Sequence, residues 1–225
     1  MPRWQRSRGK WAGPSRHQEW NTGRAPLRRA GRASLEALGL RDLLGKKKLS
    51  EPARDRLFAL TTAAVTMDTE LGLRTAGAAG VCFKPLSAGD FMRAENDLQE
   101  LLDKVAADSG SKLERREDSF GFTWIVVRDT ELEDQAATIH TVSSGLEEAG
   151  FGAQLLAAVF KFEGPKEPVF WVYGFKRGAF WPFIPTGKEK ERDNAEELEL
   201  KAKLEKELPI EQDLTRWFGV FGAPV

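Results

Sequence analysis

Between Phe170 and Phe183 the chain reads FWVYGFKRGAFWPF, and seven of these fourteen positions are aromatic, in a sequence with 22 aromatic residues in all. β-branched and aromatic residues on either side of a basic pair and a glycine predict two strands joined by a tight turn. With Arg177-Gly178 as the central turn residues, Gly174 faces Trp181, Tyr173 faces Pro182 and Val172 faces Phe183. One face of this hairpin carries Trp171, Tyr173, Phe175, Phe180 and Ile184. The other carries Phe170, Val172, Trp181 and Phe183. Side chains alternate across a strand, so a hairpin apolar on both faces needs cover on both. The C-terminal aromatics Trp217, Phe218 and Phe221 are candidates for the second cover. A partner groove is the alternative, with Trp171, Tyr173, Lys176, Arg177, Trp181, Phe183 and Trp217 as contact residues, since aromatics and arginine dominate binding hot spots. An aromatic and basic platform for RNA is a third reading.

The rest of the chain supplies elements to put around this hairpin. Gly80 to Leu86 reads as a strand stopped by Pro85. A helix follows, with Ser87 and Asp90 resembling a capping box and Phe91, Ala94, Leu98, Leu101, Leu102 and Val105 on one stripe. Ser111 to Glu117 and Phe120 to Arg128 form a strand pair with a turn at Asp118-Ser119. Leu132, Ala136, Ile139, Ser143 and Leu146 mark a second amphipathic helix that ends at Gly150. Leu155 to Glu163 and Pro168 to Phe175 are strands. Asp193 to Leu208 is a third helix, rich in Glu and Lys, stopped by Pro209. Arg54 to Leu73 fits helix and strand equally. The fold class is therefore α+β: an antiparallel sheet with the ferredoxin-like order strand, helix, strand, strand, helix, strand, plus a C-terminal hairpin and helix.

Charge divides the chain. Residues 1–49 hold 13 Lys and Arg against 3 Asp and Glu, and the remaining 176 residues hold 21 against 31, so a neutral total conceals a basic arm and an acidic body. Residues 1 to about 33 show no period, and the expected organisation is a basic, disordered extension over 1–38 and one domain over 39–225. The arm reads either as a nucleic-acid or membrane contact or as an extension from an upstream start codon. Ser34 to Leu44 fits a short amphipathic helix, and Lys46, Lys47 and Lys48 behind it suit an anionic membrane surface or nucleic acid. The acidic body argues against nucleic acid as the main partner. A single cysteine, Cys82, allows no intrachain disulfide and favours a reducing compartment, and no stretch reaches the roughly 18 apolar residues of a spanning helix. The expected location is cytoplasmic, with peripheral contact at the inner face of the plasma membrane as a variant.

Catalytic constellations are hard to assemble from this composition. Two histidines, His17 and His140, and one cysteine do not build a zinc site. His140 with Ser143 and Ser144 has helical spacing, not the strained turn of a serine nucleophile. Gly150-Phe151-Gly152 precedes a strand, not a helix, which is the wrong context for a dinucleotide loop. No cofactor and no catalytic residue is expected.

Seven stretches in order carry a family resemblance: GLRDLLGKKKL, RLFALTTAAVT, VCFKPLSAGDF, GFTWIVVRD, FWVYGFKRGAFWPFIP, RDNAEELELKAKLEKELPIE and the ending RWFGVFGAPV. Together, over residues 39 to 225, they resemble the PspA-associated protein PspAB family. The resemblance implies a bacterial protein linked to phage-shock protein A, a coiled-coil membrane-remodelling protein of envelope stress, and it carries over no catalytic residues. The function expected is a non-enzymatic adaptor or regulator that binds phage-shock protein A or another helical protein. The alternatives are a nucleic-acid-binding regulator using the arm and a small-molecule sensor lined by the hairpin aromatics.

Overall fold

The computed structural model describes residues 55–84 and 88–225, and for 88–98 the backbone alone. The N-terminal arm, the Ser34 to Leu44 helix, the Lys46 to Lys48 cluster, the Ser87 cap and the boundary at residue 38 lie outside the described residues. A short 3-10 turn, Arg56–Phe58, leads into helix α1 (Ala59–Leu71), which ends at Gly72. There follow β1 (Arg74–Phe83), α2 (Ala88–Ser109), β2 (Lys112–Glu117), β3 (Thr123–Arg128), α3 (Leu132–Leu146), β4 (Leu155–Glu163), β5 (Val169–Gly174), β6 (Ala179–Phe183) and α4 (Asn194–Leu204). The class is α+β. The six strands form one antiparallel sheet in the order β2-β3-β1-β4-β5-β6.

Strand β1 begins six residues before the expected Gly80, because its first seven residues (RTAGAAG) are mostly alanine and glycine, with Thr75 alone among the β-branched residues that announce a strand. Small residues suit a central strand approached closely from both sides. On one face, Ala79 and Val81 lie beside Val127 and Ile125 of β3 and beside Phe160 and Ala158 of β4. The row continues through Trp171 and Tyr173 of β5 to Phe180 of β6. Helix α3 packs across β1, β3 and β4, with α1 and α2 beside it and α4 against β6. Its stripe of Leu132, Ala136, Ile139, Val142 and Leu146 is buried, as are Leu60, Ala63 and Met67 of α1. At about 25 cal/mol per Å² of apolar surface, this helix-covered layer supplies much of the hydrophobic stabilisation.

The two sheet edges end differently. At β6 the segment 209–211 runs alongside. Phe180 donates its N–H to Pro209 O (2.8 Å) and accepts from Glu211 N (2.9 Å). At β2, among the described residues, no strand pairs with the outer edge, and the strand itself is the charged run KLERRE. A turn held by one carboxylate connects it to β3. Asp118 Oδ1 accepts from Phe120 N and Phe122 N, and Oδ2 accepts from Trp124 Nε1, all at 2.9 Å.

Candidate interaction surface

Strand register places the aromatic hairpin two residues from its expected pairing. Gly174 faces Ala179, Tyr173 faces Phe180, Val172 faces Trp181 and Phe170 faces Phe183. The turn is therefore the four residues Phe175 to Gly178, not two. Gly174 O accepts from both Arg177 N (3.1 Å) and Gly178 N (2.9 Å), and Gly178 takes the left-handed backbone (φ 62°) that closes such a loop. Trp181 thus packs beside Val172 and does not fill the space over Gly174. The assignment of residues to faces is unchanged, because a two-residue slip preserves side-chain parity.

The expected contact aromatics are covered. Trp171 and Tyr173 are fully buried under the helices, and Tyr173 is hemmed by Phe175 and Phe180 with ring centroids at 5.7 and 4.6 Å. Trp181, Phe183 and Trp217 are buried on the opposite side. As they stand, these five rings do not form an exposed groove, because the chain's own C-terminal residues lie over the second face. Lys176 is half-buried and Arg177 exposed at the hairpin tip, where Arg177 Nε lies 3.5 Å from Glu211 Oε2.

Residues 217–225 cross that second face as an irregular strap. Phe218 meets Trp181 edge-on at 6.2 Å and Phe221 meets Phe183 edge-on at 4.8 Å. Among the described residues, every backbone–backbone hydrogen bond of the strap is local. Side chains supply its other anchors, beginning with its own Trp217, whose Nε1 donates to Glu211 O (2.9 Å). Trp181 Nε1 donates to Phe218 O (3.0 Å), Arg192 Nη1 to Trp217 O (2.6 Å), Arg128 Nη2 to Pro224 O (3.3 Å) and Lys161 Nζ to Val225 O (3.2 Å). Gly80 makes the seat for the last residue: a Cβ there would stand 2.8 Å from Val225 Cγ1. Its backbone is ordinary, so the glycine is required by space and not by conformation. A void of about 30 Å³ remains between the strap residues Phe218, Val220 and Phe221 and the sheet residues Cys82, Trp124, Val172 and Trp181.

Arg192 also binds Glu197, and the pair joins three parts of the chain. Glu197 is buried at the start of α4, which Asp193 caps by accepting from Glu196 N. Its carboxylate accepts from Arg192 Nε (2.9 Å) and from Ile184 N (2.8 Å), while Arg192 Nη2 donates to Pro182 O (3.3 Å). Burial raises the Glu197 carboxyl above its usual range, opposed by the Arg192 hydrogen bond and the Ile184 amide. Sequence reasoning missed both residues, since Arg192 and Glu197 are five apart in a charge-rich stretch that reads as a solvated helix face.

On the outer side of the strap lies a cleft of about 720 Å³ between Phe120 in the β2–β3 turn, the loop carrying Lys188, Glu189 and Lys190, and the strap residues Gly219 and Phe221. Cys82 is buried as a free thiol, its pKa pushed well up by burial and by the nearby Asp118. His140 lies against Phe58 with ring centroids 5.3 Å apart, and Ser143 Oγ donates to the His140 carbonyl. Among the described residues no cluster of three or more His, Cys, Asp or Glu is placed to hold a metal, and no helix is long and apolar enough to cross a membrane.

Fold and surface together define a small α+β protein whose antiparallel sheet is closed by helices on one face and by its own C-terminal strap on the other. The family model described as PspA associated protein B matches residues 37–225, and the chain belongs to that family. Comparison with curated proteins and with solved structures yields no match.

Proposed function

We propose that this protein is a non-enzymatic adaptor or regulator in PspA-linked envelope stress, acting through protein–protein contact on the strap side of its sheet. The observation that carries this reading is the family match over 37–225, nearly all of the acidic body. The strap side supports it by offering an open cleft flanked by the half-exposed rings of Phe120 and Phe221, the chemistry of a partner anchor site. The test is titration of the purified full chain with purified PspA by calorimetry. A saturable complex is expected, and its absence at tens of micromolar would overturn the reading. The small-molecule sensor remains as a second reading, because the cleft volume lies within the range of ligand pockets. Saturable heat from a metabolite panel, competing with PspA, would favour it.

A further inference from the structure

We infer that β2 is a self-association edge: two copies of this chain pair antiparallel along Lys112–Glu117, about a two-fold axis normal to the sheet, with Arg115 facing its own copy. The two edges of the sheet carry the argument. Segment 209–211 occupies the β6 edge, whereas among the described residues β2 pairs with β3 on one side and with no strand on the other. An open edge presents unpaired N–H and C=O groups, a template for another strand. Strand β2 has no proline and no bulge against β3 to spoil that template. Its remaining protection is charge, and the order of the charges decides what the edge accepts.

Side chains alternate across β2. Glu114 and Arg116 stand on the strap side, beside Val126 and Trp124, while Leu113, Arg115 and Glu117 stand on the helix side. Within one chain Arg116 already holds Glu114, donating to Oε2 from Nη2 (2.6 Å) and Nε (3.1 Å), and both side chains are about half exposed. Pairing in this register leaves that bond in place. It sets Glu114 opposite Arg116 of the second copy, twice, so two separate ion pairs become a ring of four charges alternating in sign. A guanidinium carries several N–H donors and a carboxylate several acceptor sites, so each member can serve two neighbours. On the helix side the two Arg115 side chains meet, and Glu117 of each copy is diagonal to the other's Arg115, within reach of a long side chain. An unrelated edge strand does not reproduce this order of signs, so the second copy is the occupant that the charges select. A six-residue strand makes a small interface, of the size that gives weak, concentration-dependent pairs. In the joined sheet, 209–211 of each copy covers an outer edge, and both strap sides lie on one face. The pair therefore presents two equal clefts to an oligomeric partner. That use rests on the adaptor reading; the pairing itself does not.

The experiment uses the full chain without PspA. Sedimentation equilibrium follows its mass from micromolar to near-millimolar concentration, and hydrogen exchange follows β2 amides over the same range. A monomer–dimer equilibrium is expected, with β2 amides gaining protection as the dimer forms. Glu114→Arg and Arg116→Glu each give the ring a single sign and should weaken the dimer by about tenfold or more. The double swap Glu114→Arg/Arg116→Glu restores the alternation and should return the dissociation constant to within a few-fold of wild type. Thermal melts of all three variants should match wild type, which separates lost pairing from lost folding. A chain that stays monomeric at near-millimolar concentration overturns the inference. So do β2 amides protected equally at every concentration, which would mean that another segment of the same chain holds the edge. A dimer that survives both single changes lies elsewhere, and one tightened by Arg116→Glu uses another register; either result overturns it. PspA binding is tested separately by calorimetry. A monomeric chain that binds PspA leaves the association reading standing, and a dimer that does not bind PspA leaves the pairing standing.

Discussion

Trp171 and Trp181 lie at neighbouring positions on facing sides of one sheet, yet different things cover them. Trp171 lies under helices that make their own backbone hydrogen bonds and bring a repeating stripe of apolar residues. Trp181 lies under nine residues with no regular structure, fixed by two indole bonds, three cations and a glycine-sized seat. A helix covers a sheet by geometry that its own ladder enforces, whereas a strap must be told where to lie by side chains of the body. The first cover is inseparable from the fold. The second adds to a fold that stands on the other side.

Breaking the helix-covered side should therefore have the largest effect. Trp171→Ala is expected to destabilise the protein by about 3–5 kcal/mol in urea unfolding. Phe218→Ala should lose less than half as much, because the loss is bounded by the docking free energy of the strap. Equal losses from the two would erase the contrast drawn between the faces. Next comes the knot between them. Glu197→Ala leaves the Arg192 guanidinium without its counter-ion and the Ile184 N–H without its acceptor, and about 3 kcal/mol should disappear. Thermal melts of that variant check it, and a change below 1 kcal/mol would show the knot to be dispensable.

The pH dependence of stability sharpens the comparison further. The Cys82 thiol is held protonated in the folded protein, well above its ordinary range, while in the unfolded chain it ionises near pH 8.5. The unfolded state thus loses its proton first, so the contribution is fully present below that pH. It is lost as pH rises, by up to about 1.4 kcal/mol per unit. Tyr173, raised chiefly by burial, adds to the fall above about pH 10. Cys82→Ala should flatten the slope between pH 8.5 and 10 in guanidinium titrations, and an unchanged slope would show that the thiol is solvated. At the small end, Arg177→Ala should change stability by no more than about 0.5 kcal/mol, since its partner Glu211 is reached from an exposed tip. A larger loss would mean that the hairpin turn depends on this ion pair.

Where periodicity or aromatic density was strong, the elements were legible in the sequence. The α3 stripe and the hairpin faces come out correctly. The hairpin register does not, because a basic pair followed by glycine fits a two-residue turn as well as the last three positions of a four-residue one. Helix α1 stayed ambiguous because ALTTAAVTM mixes helix-favouring alanines with β-branched residues. The sequence pattern carries the last helix to Leu208, but α4 stops at Leu204, and turns carry the chain on to Pro209. The strap is a different matter. Its aromatics suggested a cover, but nothing in WFGVFGAPV states a path, since the path is written in Arg128, Lys161, Arg192 and Gly80, far away in sequence. Tertiary anchors of this kind leave no local pattern.

The uncovered β2 edge bears on whether two copies can join their sheets. Two-fold symmetry about an axis normal to the sheet requires the strand to meet its copy antiparallel, with one residue facing itself. The registers with greatest overlap centre on Glu114 or Arg115. Centring on Glu114 sets that carboxylate against its own copy and Lys112 against Arg116. Centring on Arg115 sets guanidinium against guanidinium, with Glu114 opposite Arg116 on either side. Like charges directly opposite one another disfavour strand pairing, so the order of signs in KLERRE works against the register on Glu114, whereas in the register on Arg115 the two Glu114–Arg116 pairs offset the single like pair, and two copies joined there would form a closed pair.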